Sequence, residues 1–522
     1  MLRAALSLAL CVPFASADDR AKTLPAPKTA DLKPLDEVWE AAYVLTEGGK
    51  DAKIGHIHLT SVPIDKHGVR VIRTTKELRF EVGRGGSKAE MKADVSTDEA
   101  AGGKVRAINA KLWLGRDRVQ NLNCEIIDDA KIVVSAAGEF NSKSEFRWDP
   151  ACLGLAGEQT LLRDRKVKAG DTLTYRYFEP QVANYVRVQI AVGNKEKVTV
   201  PGSAARDLLK VVATPEPLTI KATGQKLQMP AATYWVDPVT YDTVKTVMEV
   251  PEIGKVTLLR TSRLAALAPN GDVPDLMKRQ SIFLKAAVPD MHERGNVVYR
   301  VSFNGDAQPK DLVSTDARQA IKNANGKTFE LHVLARRAPA KVEVADKIGP
   351  EFLRSNYFIN SDDAEVKKLA ARAVGAETDP WKKAQAIERF VSGFMIVANF
   401  TEAMAPADHV AKTRTGDCTE YAMLTAAMCR AEKIPSRTAI GLVYVNNLLG
   451  KPGLAFHMWT EVFVAGQWLA LDATLGRGSV GPGHLKITDA SWHDEKSFAP
   501  LLPVLTVLSA QPQVEVLRVT GR

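Results

Sequence analysis

The chain has 522 residues, 45% of them hydrophobic and 25% charged, with a formal net charge of +9. That composition excludes a disordered or fibrous chain, and the length allows about three domains at roughly 150 residues each. Lysines and arginines are scattered through every segment instead of forming a block; with no zinc-finger spacing or nucleic-acid fold signature either, nucleic acid is set aside as a partner.

Residues 1–17 read as a secretory signal peptide. Arg3 precedes an apolar stretch from Ala4 to Phe14, and Ala15-Ser16-Ala17 is a small-x-small cleavage site. The stretch is too short for a bilayer, which needs about 20 apolar residues, and no later run qualifies as a transmembrane segment. The expected location is extracytoplasmic, periplasmic or secreted, where scattered basic charge makes cell-envelope polymers a candidate partner. Residues 18–36 are rich in Lys, Pro and Ala without periodicity and read as a linker.

From 37 to 264 the signals are strands separated by turns. They include Lys53 to Val62, Gly68 to Val82, Val105 to Leu114, Lys131 to Ser135, Asp171 to Phe178, Val182 to Val192 and Val247 to Arg260. Val186, Val188 and Ile190 alternate with Arg187 and Gln189, the pattern of antiparallel strands with one wet face. A large antiparallel β domain is expected, as one curved sheet or two packed sheets, with no catalytic constellation. His56 and His58 share a strand face, but without a third ligand they read as a surface pair. Cys124 and Cys152 can bridge in an exported protein or pack as two buried thiols.

Residues 265–280, containing Pro269-Asn270-Gly271, read as a second linker. A small β-rich segment at 281–345 follows, with strands at Ser281 to Val288, Asn296 to Phe303 and Thr328 to Ala335. Gly326-Lys327-Thr328 has the ending of a phosphate loop, but Ile321 stands where that motif needs glycine. It reads as the turn after a short helix. From 346 to 497 the pattern is helical and then stranded: Asp362 and Glu365 open a helix in capping-box style, and Asp379-Pro380 opens another. Residues 498–522 form a tail with an alternating Val514, Val516 and Leu517, Val519.

Inside 346–497 lies Gly416-Asp417-Cys418-Thr419-Glu420-Tyr421-Ala422. A Gly-Asp turn delivers Cys418 to the first turn of a helix, where backbone N–H groups and the helix dipole favour a thiolate. Two strands follow, Ala455 to Val462 and Trp468 to Thr474, joined at Ala465-Gly466. A two-residue turn there sets Val464 opposite Gln467. His457, Trp459 and Asp472 then share one face, with His457 and Asp472 within side-chain reach; a one-residue slip would separate them. Cysteine, imidazole and carboxylate are the parts of a thiol nucleophile with its base and orienter. Cys429 lies on the same helix as Cys418, about 16 Å away at 1.5 Å per residue, beyond the ~7 Å a disulfide allows.

Gly416-Asp417-Cys418, Phe456-His457-Met458-Trp459-Thr460-Glu461-Val462 and Leu471-Asp472-Ala473-Thr474, in that order, resemble the bacterial transglutaminase-like family. The resemblance covers roughly 350 to 490. It implies an α+β multidomain chain ending in a permuted papain-like domain, with Cys418 as nucleophile, His457 as general base and Asp472 as orienter. It further implies an enzyme that acts on amide bonds of proteins or peptides through a thioester, either as hydrolase (amidase or peptidase) or as acyltransferase. No cofactor or metal is called for. Cys418's own N–H is one oxyanion donor, and Asn399 is the candidate for the second. The family also includes catalytically dead copies, so a binding scaffold for an envelope partner is the alternative function.

Overall fold

The computed structural model describes residues 35–521 apart from 47–48, 67, 85–86, 114–118, 139–140, 182, 202, 220–225, 228, 251–252, 272, 274, 276–277, 279, 306, 342–347, 399–403 and 494–498. The signal-peptide segment and Asn399 lie outside the described residues. Two compact units divide the chain, 1–276 and 277–522.

The first unit is built on an antiparallel sheet of fourteen strands. Starting at Ser142–Arg147, the order runs backwards along the chain to Val38–Leu45. It then continues through Gly254–Thr261, Thr243–Val250, Ala232–Val236, Arg206–Pro215 and Asn184–Val198 to Thr172–Glu179. Most neighbours are consecutive hairpin partners, the arrangement short turns favour. The sheet curls until its edges face each other: Phe146 and Phe178 have ring centroids 6.2 Å apart, and the Tyr185 hydroxyl donates to the Arg147 carbonyl. Cys124 and Cys152 pack as thiols in the apolar cluster at this seam. A helix, Leu155–Asp164, starts against Glu99, whose carboxylate accepts the Ala156 N–H at 2.8 Å and the Gly157 N–H at 3.1 Å. The helix dipole favours a negative charge at that end.

Some strand and turn readings need correction. Val247 to Arg260 is not one strand but parts of two, Thr243–Val250 and Gly254–Thr261, folded back with Val250 opposite Gly254. Gly326 turns a hairpin between Gln319–Asn325 and Thr328–Leu334 and follows no helix. Ser281 to Val288 contributes only the short strand Ile282–Phe283.

In the second unit the described helices Ala364–Val374, Pro380–Phe394, Ala407–Thr413 and Cys418–Ala431 accompany a five-stranded sheet. Its path is Ile282–Phe283, Lys451–Val464, Ser436–Leu448 and His484–Ala490, with Gln467–Leu471 also paired to the 451–464 strand. The first helix is capped by Asp363, not Asp362: its carboxylate accepts the Glu365 and Val366 N–H groups at 2.9 and 3.1 Å. Trp381, Ala384, Ile387 and Val391 of the second helix are buried at helical spacing. The strands Ser436–Leu448 and Lys451–Val464 are joined by a tight turn at Leu449-Gly450, with Leu448 opposite Lys451. A second sheet orders Gln319–Asn325, Thr328–Leu334, Asn296–Ser302 and Gln513–Thr520. One buried apolar cluster takes residues from 281–345, 346–497 and 498–522 together: Val297, Phe329, Leu442, Leu485 and Val514 are all in it. The two sheets are thereby fused by burial of apolar surface.

Candidate active site

Cys418 is the first residue of its helix because Asp417 caps it. The Asp417 carboxylate accepts the Thr419 N–H at 2.9 Å, and Glu420 reaches back to the Asp417 N–H at 2.9 Å, a reciprocal capping box. Glu420 also accepts the Ala405 N–H at 2.7 Å. Burial, with Asp417 beside it, raises the Glu420 carboxyl to about 8. The turn depends on Gly416, whose φ of +149° suits glycine; a Cβ there would lie 2.3 Å from the Glu420 Cβ. Thr460 fastens the helix to the His457 strand, donating to the Ala422 carbonyl at 3.0 Å.

The hairpin keeps the expected register, with Val464 opposite Gln467. Pairing ends at Thr460 and Leu471, and Asp472 turns off the strand end to meet His457: Nε2 lies 2.8 Å from Asp472 Oδ2. That leaves Nδ1 for the thiol. The Cys418 side chain is hydrogen-bonded to His457, and the Met458 N–H donates to the sulfur. Cys418, His457 and Asp472, read from the sequence as a set, therefore do come together.

Cys418 keeps some exposure, but its sulfur sits deep enough for desolvation to push the thiol up, and the Asp417 carboxylate adds to that. The charged His457 and the Met458 N–H pull the other way. Position at a helix start alone thus does not make the thiolate; the imidazole must supply the charge. Burial opposes a charge on His457, yet Asp472 and Cys418 overcome it and hold the ring's pKa well above its ordinary value. Burial also works against the Asp472 anion, but the two histidines on it keep its pKa far below the carboxylate range.

The second of those histidines, His484, is a residue the sequence reading missed. Its Nε2 lies 2.9 Å from the same Asp472 Oδ2. It follows Gly481-Pro482-Gly483 with no spacing that links it to the cysteine motif, and only the fold brings it in. The ligand atoms of His457, Asp472 and His484 lie within 4.8 Å of one another. A divalent cation there would have to displace both ring protons from the carboxylate, so the set reads best as a hydrogen-bonded array. His56 and His58 form no such cluster: His58 stacks on Trp39 at 3.7 Å and contacts Glu37 and Glu77.

Residues 367–473 match the model of the transglutaminase-like superfamily. The second unit thus carries a transglutaminase-like domain. The match contains Cys418, His457 and Asp472 and stops short of His484. Among solved structures, a candidate cysteine protease from Cytophaga hutchinsonii is 19% identical, covering 44% of this chain and 84% of that one, with a TM-score of 0.28. A β-barrel-like protein from Brucella abortus is 10% identical over 45% of this chain and 98% of its own, TM-score 0.32. The periplasmic domain of TgpA from Pseudomonas aeruginosa, bound to ethylmercury, is 16% identical over 35% of this chain and 91% of its own, TM-score 0.21. No curated protein matches. Among the described residues no helix is long and apolar enough to cross a membrane.

Proposed function

We propose that the protein is an exported cysteine enzyme that acts on amide bonds of a protein or peptide through a thioester. The observation that carries this reading is the buried 2.8 Å contact between His457 Nε2 and Asp472 Oδ2, with Cys418 hydrogen-bonded to the same ring. His457 takes the thiol proton while Asp472 fixes the tautomer and steadies the imidazolium. The sulfur attacks the amide carbonyl, the C–N bond breaks, and His457 returns the proton to the departing ammonia or amine. Water then resolves the thioester to a free acid, or a primary amine takes the acyl group. The Cys418 N–H, at the start of its helix, is suited to receive the oxyanion. The surrounding domain fits a permuted papain-like fold, and residues 1–17 supply the export signal.

The test is mass spectrometry of a substrate peptide library incubated with the protein, with and without an added primary amine. Free-acid products mean hydrolysis and amine adducts mean transfer; both should vanish in Cys418→Ala. Burial of the sulfur favours the second reading, a binding scaffold without turnover. That reading predicts no product in either arm and slow alkylation of Cys418 that ignores His457→Ala.

A further inference from the structure

We propose that His484 is a positioning residue of the site, holding Asp472 against His457 and sharing its charge, and that the 281–345 segment supports it. The proposal rests on the triad reading above and adds a fourth member to it.

Asp472 Oδ2 serves two imidazoles, His457 Nε2 at 2.8 Å and His484 Nε2 at 2.9 Å. An ionised carboxylate only accepts, so each contact takes an N–H from a ring. The His484 side chain is 1% exposed. Burial drives its pKa down to about 4, with Asp472 offsetting only part of that. The ring is therefore a neutral, fixed donor, while His457 is the ring that gains and loses charge. Its other nitrogen, Nδ1, is buried without a partner among the described residues. An unmet buried acceptor is costly, and a histidine used only to fill space could be replaced by an apolar residue without that cost.

The loop beneath His484 is held by groups from outside the matched region. Arg318, itself buried, donates to the Gly481 carbonyl at 3.2 Å and the His484 carbonyl at 2.5 Å. The Tyr299 hydroxyl donates to the Pro482 carbonyl at 2.8 Å. His292 packs edge-on to His484, ring centroids 5.4 Å apart, and donates from Nε2 to the Tyr444 carbonyl at 3.0 Å. Glycines make this approach possible: a Cβ at Gly481 would lie 2.0 Å from the His292 carbonyl oxygen. Arg318, Tyr299 and His292 all belong to the 281–345 segment, which gives that segment a task at the site.

Removing the His484 donor would leave Asp472 Oδ2 to His457 alone, with the Thr474 N–H still donating to Oδ1 at 2.9 Å, and hold the His457 imidazolium to higher pH. The titratable neighbours of the pair are Cys418 and Asp417 at the helix start, Glu388 on the 380–394 helix, which feels Asp472, and His292 with Arg477 and Glu293. None of them supplies a second N–H to Asp472 among the hydrogen bonds described.

The experiment measures Cys418 alkylation by iodoacetamide, and amide turnover, from pH 5 to 10 on the full chain. In the wild type, labelling must depend on Cys418 and His457; if it does not, the triad reading fails and takes this proposal with it. Where it does, His484→Phe should move the alkaline limb up by about half to one pH unit and lower kcat more than it raises KM. His484→Gln, which keeps an N–H, should restore the wild-type limb. An unmoved limb in the Phe variant, or the same limb in both variants, overturns the proposal. Should the Phe variant not fold, NMR of the wild type with 15N-labelled histidine decides. A neutral His484 ring protonated on Nε2 throughout pH 5 to 8, with a far-downfield proton, is expected. A ring that titrates near the ordinary value of about 6.5, or carries its proton on Nδ1, overturns the assignment.

Discussion

Asp98 in the first unit and Asp472 in the second are both buried carboxylates, and the two are surrounded differently. In the first, Asp98 meets Arg73 at 2.7 and 2.8 Å and Lys66 at 3.3 Å. In the second, Asp472 meets two imidazoles. Burial opposes both anions, and in both the partners win and lower the pKa. Arginine and lysine keep their charge over any ordinary pH, so Asp98 is a fixed strut. Imidazole exchanges a proton near neutrality, so the same burial around Asp472 makes a site able to move one.

The sharpest break in that comparison is Cys418→Ala, which should reduce amide turnover by about 10⁵ or more while thermal denaturation stays near wild type. Next comes Asp472→Asn, expected to cost about a thousandfold in kcat because the amide can orient His457 in the wrong tautomer; steady-state kinetics on a peptide amide checks it. Arg73→Ala should do the opposite. It strands Asp98 with a lysine alone and should cost about 3 kcal/mol in urea unfolding, with kcat of the remaining folded protein unchanged.

Acid sharpens the contrast further. Burial works against the Glu461 anion, but Lys486 at 2.8 Å and Arg437 at 2.8 Å hold its pKa down at about 2. A carboxylate whose folded pKa is depressed contributes stability above its unfolded value of about 4.3, lost as pH falls through the folded one. Asp472 acts with the same sign. Unfolding midpoints of the wild type should thus drop between pH 4 and 2, and Glu461→Gln should flatten that drop. The smallest effect is a control: Asp363→Ala removes two helix-cap bonds and should cost about 1 kcal/mol in thermal unfolding, leaving the pH profile of turnover unmoved.

What the sequence disclosed was local. The Ala465-Gly466 turn and the two-residue alternation around His457 were enough to pair His457 with Asp472, because a hairpin's register is set by its own turn; Cys418 joined them in the sequence only through the resemblance. His484 escaped because its place depends on Arg318 and Tyr299, far off in the chain, and nothing in Gly481-Pro482-Gly483-His484 announces them. The same limit explains the hairpin at Gly326, where a polar Lys-Asn-Ala-Asn stretch masked a strand made by pairing with Thr328–Leu334. Asp363 displaced Asp362 as cap although only Asp362 stands three residues before Glu365: the Asp363 carboxylate takes the Glu365 and Val366 N–H groups itself.

One pairing bears on when this thiol is assembled. Asn296–Ser302 lies beside Gln513–Thr520, with Ser302 opposite Gln513. During synthesis the Cys418 helix and the His457 hairpin are made well before the Gln513–Thr520 strand, yet Leu454 of the hairpin shares one apolar core with Val514. Contacts so distant in sequence form late. A nascent chain halted before Gln513 should therefore lack the finished core, delaying the moment at which Cys418 meets a settled base.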